Sequence, residues 1–197
     1  YTGNEQSVSG YTRNAPANVD VSLADGKIAE ARGTNTGIYP MGLTEEDFVV
    51  TSANYSNIKV VVSDGQLEIT PITDELTVTI VGAKDSKVYN GSVQRISGYT
   101  SNAPLTVDVN LKTDHNAEAE GVLAGAYPMD LKTEDFMVTS VNYSNIRVQV
   151  IDGLLEITPI TTQVTVTANN VNADYTGKAI GGNGATLEGV LAGQSLD

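Results

Sequence analysis

The sequence predicts an all-β chain of tandem small β domains, and three observations carry that prediction. The composition favours strands and turns, a segment of about 88 residues recurs, and each copy is written in short alternating runs punctuated by turn residues. Among 197 residues, Thr, Val, Asn and Gly are abundant, Trp is absent and Phe occurs twice. That length allows one large or two small domains. A domain of about 85 residues buries roughly 60–65% of its unfolded surface, enough for a core of its own.

The repeat sets the organisation. Tyr1 aligns with Tyr89, and the register then holds without a gap. Shared blocks include SGYT-x-NAP (Ser9–Pro16, Ser97–Pro104), VDV-x-L (Val19–Leu23, Val107–Leu111) and AEA-x-G (Ala29–Gly33, Ala117–Gly121). YPM-x-L (Tyr39–Leu43, Tyr127–Leu131) and EDF (Glu46–Phe48, Glu134–Phe136) follow. A third copy begins after Ile160, where TVTANNVNADYTGK (Thr165–Lys178) resembles TVTIVGAKDSKVYNG (Thr77–Gly91). The expected division is 1–72 for a first repeat without its opening strand, 73–160 for a complete second repeat, and 161–197 for a partial third.

Within a copy the elements follow in order. Leu76–Ile80 and Thr106–Leu111 alternate as strands do, and Gly125–Leu131 and Phe136–Val141 are shorter candidates. Thr44 is placed to cap one acidic turn, Glu45–Phe48, which is too short for a core helix. Ala117–Ala124 contains helix-tolerant residues interrupted by Gly121. Each copy closes with two alternating runs joined by Asp-Gly: Asn54–Pro71 and Asn142–Pro159. Asp64-Gly65 and Asp152-Gly153 suit a two-residue type I′ turn with positive φ, which predicts a hairpin. Val62 would then face Leu67 and Val60 face Ile69; Val150 would face Leu155 and Val148 face Ile157. Lys59, Glu68, Arg147 and Glu156 fall on the wet side. Tandem small β-sandwiches (Ig-like) in an elongated rod fit this pattern, with β-grasp-like modules as the alternative. No Gly/Ser-rich linker separates the copies at Ile69–Thr73 or Ile157–Thr161, which predicts stiff junctions.

Charge and residue types exclude several functions. The net charge of −13 and the pI of about 4.3 argue against nucleic acid and against anionic lipid. No apolar run approaches the roughly 20 residues that span a bilayer, so no membrane insertion is expected in this segment. With no cysteine there is no disulfide framework, thiolate metal site or thiol nucleophile. The chain has neither an initiator Met nor a signal peptide, so it reads as part of something longer.

Candidate chemistry is sparse. His115 is the single histidine and Lys27 takes its place in the first copy, which reads as a solvated loop residue and not as a triad or metal ligand. Glu45, Glu46, Asp47, Glu134 and Asp135 lack the calcium-loop spacing and read as capping acids. Tyr39, Tyr127, Tyr55 and Tyr143 offer rings to a sugar or protein, but strand-end tyrosines more often pack over a core. Asn54, Asn57, Asn142 and Asn145 suit local turns. A Lys–Asn isopeptide bond is disfavoured because Lys59 becomes Arg147 and Lys27 becomes His115. Gly181–Gly184 is not followed by the Gly-Lys-Ser/Thr of a phosphate loop. No catalytic residue, metal or cofactor is expected. Beside the second Asp-Gly, Ile151 and Leu154 replace Ser63 and Gln66. With Ile72 they are the expected interdomain contact.

The pattern VTVT…K-x-Y-x-G, GxYPMxLxxEDF and NYxNIxVxVxDGxLxITP resembles the tandem MBG/YDG-type repeats of bacterial cell-surface proteins. The match covers essentially the whole chain, and its NY…DGxLxIT block is the most specific part. The resemblance implies an extracellular, secreted or wall-attached location and a non-enzymatic stalk or adhesin segment. Its partners would be neighbouring repeats of the same chain; a host glycan, mucin or extracellular-matrix protein is the alternative partner.

Overall fold

The computed structural model describes residues 1–181 and 184–193. The described chain is all-β, and its helical content is two one-turn 3₁₀ helices at Glu45–Asp47 and Thr133–Asp135. In the first copy the strands are β1 (Gln6–Ser9), β2 (Asp20–Leu23), β3 (Glu30–Gly33), β4 (Gly37–Pro40), β5 (Phe48–Thr51) and β6 (Gln66–Ile69). The second copy opens with β7 (Leu76–Gly82), β8 (Lys84–Val88), β9 (Gln94–Ser97) and β10 (Tyr99–Ser101). It continues with β11 (Asp108–Leu111), β12 (Glu118–Gly121), β13 (Gly125–Pro128), β14 (Phe136–Thr139), β15 (Ile146–Ile151) and β16 (Leu154–Thr158). Beyond it lie β17 (Thr165–Ala168) and β18 (Ala185–Glu188).

The two copies share three strand pairings. β1–β3, β2–β5 and β4–β6 recur as β9–β12, β11–β14 and β13–β16. The second copy adds what its extra strands allow. β7 lies between β10 and β15, and β8 runs parallel to β16, with Leu155 opposite Asp85 and Ile157 opposite Lys87. Within the helix-tolerant stretch Ala117–Ala124, Glu118–Gly121 form a strand, β12, which buries Ala119 and Gly121 on one face with a period of two.

The expected hairpin does not form. β15 belongs to the sheet of β7, whereas β16 belongs to the sheet of β13 and β8. Gly65 and Gly153 are absent from the glycines with positive φ, so neither Asp-Gly makes a type I′ turn. Asp152-Gly153 instead carries the chain from the sheet of β15 to that of β16, and Asp64-Gly65 leads into β6. Each aspartate carboxylate clamps the turn after Tyr-Pro. Asp152 accepts hydrogen bonds from the amides of Asp130 and Leu131 at 3.1 and 2.9 Å; Asp64 does the same for Gly42 and Leu43 at 2.9 Å each. The same crossing occurs between β7 and β8. There a Cβ on Gly82 would lie 2.4 Å from the Gly153 nitrogen, and Leu154 donates its N–H to the Ala83 carbonyl at 3.0 Å. Two backbones pass too closely for side chains, which explains the glycines better than turn dihedrals do.

The described chain divides into two compact units that do not follow the repeat boundaries. One comprises Tyr1–Thr79, Asn102–Asn110 and Phe136–Gln149; the other comprises Ile80–Ser101, Leu111–Asp135 and the residues from Val150 onward. In the first unit Val19, Ala31, Ile69, Val78, Val107 and Phe136 are buried. The second is built on Ile80, Leu155 and Ile157 with Ile96, Met129 and Leu131. Only part of the expected third repeat is described. There β17 pairs antiparallel with β18, and all eight of their residues are exposed. Of the stretch Gly181–Gly184, Gly182 and Asn183 lie outside the described residues, as do residues 194–197.

Candidate functional site

Asn142 is the most telling polar residue of the first unit. Its side chain is 1% exposed. The side-chain oxygen accepts the N–H of Thr36 at 2.8 Å, and its amide nitrogen donates to the Asn35 side-chain oxygen at 3.1 Å. The Asn142 carbonyl accepts the N–H of Ile72 at 2.9 Å, and the Ile72 carbonyl accepts from both the amide and the hydroxyl of Ser144. Ile72 and Tyr143 form a parallel bridge, and Asn145 donates to the Thr73 carbonyl at 3.4 Å. Residues of the first repeat and of the second therefore meet in a backbone ladder without any spacer. The sequence suggests only local turns for Asn142 and Asn145; Asn142 is buried and Asn145 exposed, and both bond to residues some 70 to 107 positions away. In the first copy Asn54 is exposed, and its N–H makes a local bond to the Ser52 hydroxyl at 3.1 Å.

The expected contact residues fall in different places. Ile72 lies in the first unit on Asn142 and Ser144, as above. Ile151 and Leu154 lie in the second unit. Ile151 ends β15 and is 48% exposed; Leu154 sits in β16 in register with Pro128 and Lys84.

The acidic turn is a capping device. Asp47, almost wholly buried, accepts from the Thr44 amide at 2.7 Å and from the Thr44 hydroxyl at 3.0 Å. Thr44 is the N-cap, as expected, and Asp47 at the third helical position reaches back to it as the other half of a capping box. Lys27 closes the arrangement, with its Nζ 2.6 Å from Asp47 Oδ1. The Lys27 ammonium and the two Thr44 donors hold the Asp47 carboxyl down to about 2, and Asp47 in turn raises the Lys27 ammonium. In the second copy Asp135 accepts the Lys132 amide at 2.7 Å, and His115 Nδ1 lies 3.1 Å from Asp135 Oδ1. His115 is therefore a partner of the capping acid, half-exposed, and not simply a solvated loop residue. Among the described residues no group of three or more His, Cys, Asp or Glu is placed to hold a metal.

The tyrosines serve the fold. Tyr39 and Tyr127 lay their rings against Gly33 and Gly121, where a Cβ would come within 2.3 Å. Their hydroxyls donate to the Asn35 and Leu123 carbonyls at 2.9 Å, so they are bonded and not left to water. Tyr143 meets the Tyr1 ring edge-on at 6.1 Å, and Tyr55 is exposed.

The first repeat also contains an open cleft of about 1120 Å³. Val19, Val21, Met41, Leu43, Phe48 and Val50 line it, between the segments Tyr11–Arg13 and Ile58–Ser63. No helix among the described residues is long and apolar enough to cross a membrane.

Fold and site together define an all-β protein of internally repeated units whose buried polar residues join backbone to backbone. No protein-family model, no curated protein and no solved structure matches the chain.

Proposed function

We propose that this chain is a stalk or spacer segment of a secreted or wall-attached bacterial surface protein, made of tandem β-sandwich repeats of the MBG/YDG type. Its task is to hold an adhesive or catalytic head away from the cell. The observation that carries this reading is the bonding of Ile72 and Thr73 directly to Asn142, Ser144 and Asn145. A repeat array transmits position or force only where neighbouring repeats are joined by ordered contacts and not by a flexible tether. The polar side chains described above cap turns and close backbone gaps, which is how a structural module uses them.

Small-angle scattering of the chain tests the reading: a spacer gives an elongated particle, and a compact globule overturns it. Arrays of glycans, mucins and matrix proteins provide the second arm, in which specific, saturable binding overturns the pure spacer.

A further inference from the structure

The motif Tyr-x-Gly occurs three times, and its middle residue differs. It is Thr2 in Tyr1-Thr2-Gly3, Asn90 in Tyr89-Asn90-Gly91 and Thr176 in Tyr175-Thr176-Gly177. The difference is chemical. An asparagine side chain has an electrophilic carbonyl carbon within reach of the next backbone nitrogen, and a threonine side chain has none.

Asn90 lies in the turn between β8 and β9. Its side-chain oxygen accepts the N–H of Ser92 at 2.9 Å, which makes this an Asx turn. The first repeat has the hydroxyl version of the same turn: the N–H of Asn4 donates to Thr2 Oγ1 at 3.4 Å. Gly91 has a φ of 77°, where a side chain would be strained. Asn90, Gly91, Ser92 and Val93 are all exposed. Below this tip the fold holds both arms. The ladder of β8 with β16 runs to Val88 opposite Thr158, and the Tyr89 N–H donates to the Thr158 carbonyl at 2.8 Å. The buried Gln94 ties the arms together, its side-chain amide donating to the Val88 carbonyl at 3.1 Å.

These features together favour attack of the Gly91 nitrogen on the Asn90 side chain. Exposure lets hydroxide reach the Gly91 N–H, and the missing Cβ leaves that nitrogen open. The Ser92 N–H already points at the oxygen on which negative charge develops during attack. The anchored arms keep that donor in place, so little ordering is left to the reaction itself. Asn142 is the opposite case: it is buried, bonded at both ends of its amide, and followed by Tyr143. The other Asn-Gly pair of the sequence is Asn183-Gly184, and Asn183 lies outside the described residues.

We propose that Asn90-Gly91 is a site of self-modification, at which the folded chain converts Asn90 to aspartyl and isoaspartyl forms. Hydroxide takes the proton of the Gly91 N–H, and the nitrogen forms a bond to Asn90 Cγ. The Cγ–Nδ2 bond breaks, and Nδ2 leaves as ammonia with a proton from water. The resulting five-membered imide is opened by water at either carbonyl. Opening at one gives the aspartyl form, which keeps an acceptor for Ser92. Opening at the other gives the isoaspartyl form, in which the main chain runs through the former side chain and is one methylene longer. That insertion lies between the Val88 and Gln94 ends of the clamp, and it removes the acceptor that makes the Asx turn.

The test is incubation of the 197-residue chain at mildly alkaline pH, with ammonia loss located by peptide mapping and mass spectrometry. A synthetic peptide of residues 84–97 in the same buffer is the reference. The expected result is reaction at Asn90 in the folded chain at least as fast as in the peptide. The rate should rise with pH, and two products of equal mass should separate by chromatography. In the isoaspartyl fraction the Ser92 amide should exchange its hydrogen faster than in the fresh chain. Asn90→Thr, which installs the hydroxyl of the other two copies, should leave circular dichroism unchanged and abolish ammonia loss from this segment. Slower reaction in the chain than in the peptide overturns the proposal, because the fold would then protect Asn90. Ammonia loss confined to other asparagines overturns it as well. Neither outcome touches the spacer reading, which scattering and binding arrays test separately.

Discussion

The side-chain oxygen of Asn142 accepts the backbone N–H of Thr36 at 2.8 Å, across 106 positions of sequence. This bond is buried, and a buried donor that loses its acceptor costs about 1–3 kcal/mol. Asn142→Ala should therefore destabilise the chain by about that amount in urea unfolding. Asn54→Ala is the internal control: the same residue of the repeat, exposed, should change stability by less than about 0.5 kcal/mol. Equal losses at the two positions would show that the residue acts locally and not as a link between repeats.

Leu155 and Leu67 make a second matched pair. Leu155 is 0% exposed; Leu67 is half-buried beside the open cleft. Leu155→Ala should cost about 2–5 kcal/mol, as expected for a filled core position. Leu67→Ala should cost clearly less, because part of its surface is already in water. Chemical denaturation of both variants checks the order, and a reversed order would mean that the first-repeat core is closed.

Asp47 predicts the acid limb of the stability curve. Its carboxyl is lowered in the folded chain to about 2. A lowered acid contributes stability that is present above its unfolded value, near 3.9, and lost as pH falls through the folded value. Wild-type stability should therefore decline from about pH 4 towards pH 2, and Asp47→Asn should flatten that decline while lowering stability at neutral pH. The raised Lys27 gives the opposite sign: its contribution is present below the ordinary lysine value of 10.5 and lost as pH rises through its folded value. Denaturant midpoints measured across pH for both proteins decide it; identical acid limbs would remove Asp47 from the account.

Gly82 tests the crossing of the two backbones. A Cβ there would meet the Gly153 nitrogen at 2.4 Å and the Gly153 Cα at 2.7 Å, both main-chain atoms that cannot rotate away. Gly82→Ala should cost about 1–3 kcal/mol or prevent folding. Gly181, where a Cβ meets nothing within 4 Å, should accept Ala within about 0.5 kcal/mol. Thermal melts of the two variants give the comparison.

What the sequence determined by itself was local and periodic. The alternation of Ile146, Val148 and Val150 with Arg147, Gln149 and Ile151 is the alternation of β15, and Leu155 and Ile157 are the buried face of β16. A strand repeats every two residues whatever it pairs with, so which side chains go inside could be read from one run alone. The repeat register was equally legible. Which strand pairs with which was decided by the tertiary structure. Asp152-Gly153 suits a hairpin turn in isolation, yet β15 takes β7 and β16 takes β8 and β13, because both crossings share one close backbone approach at Gly82 and Gly153. The roles of Asn142 and Lys27 were hidden for the same reason. A short polar side chain bonds to its neighbours in any turn, and only the chain's return from some 20 or 100 residues away supplies Asp47 to Lys27 and Thr36 to Asn142.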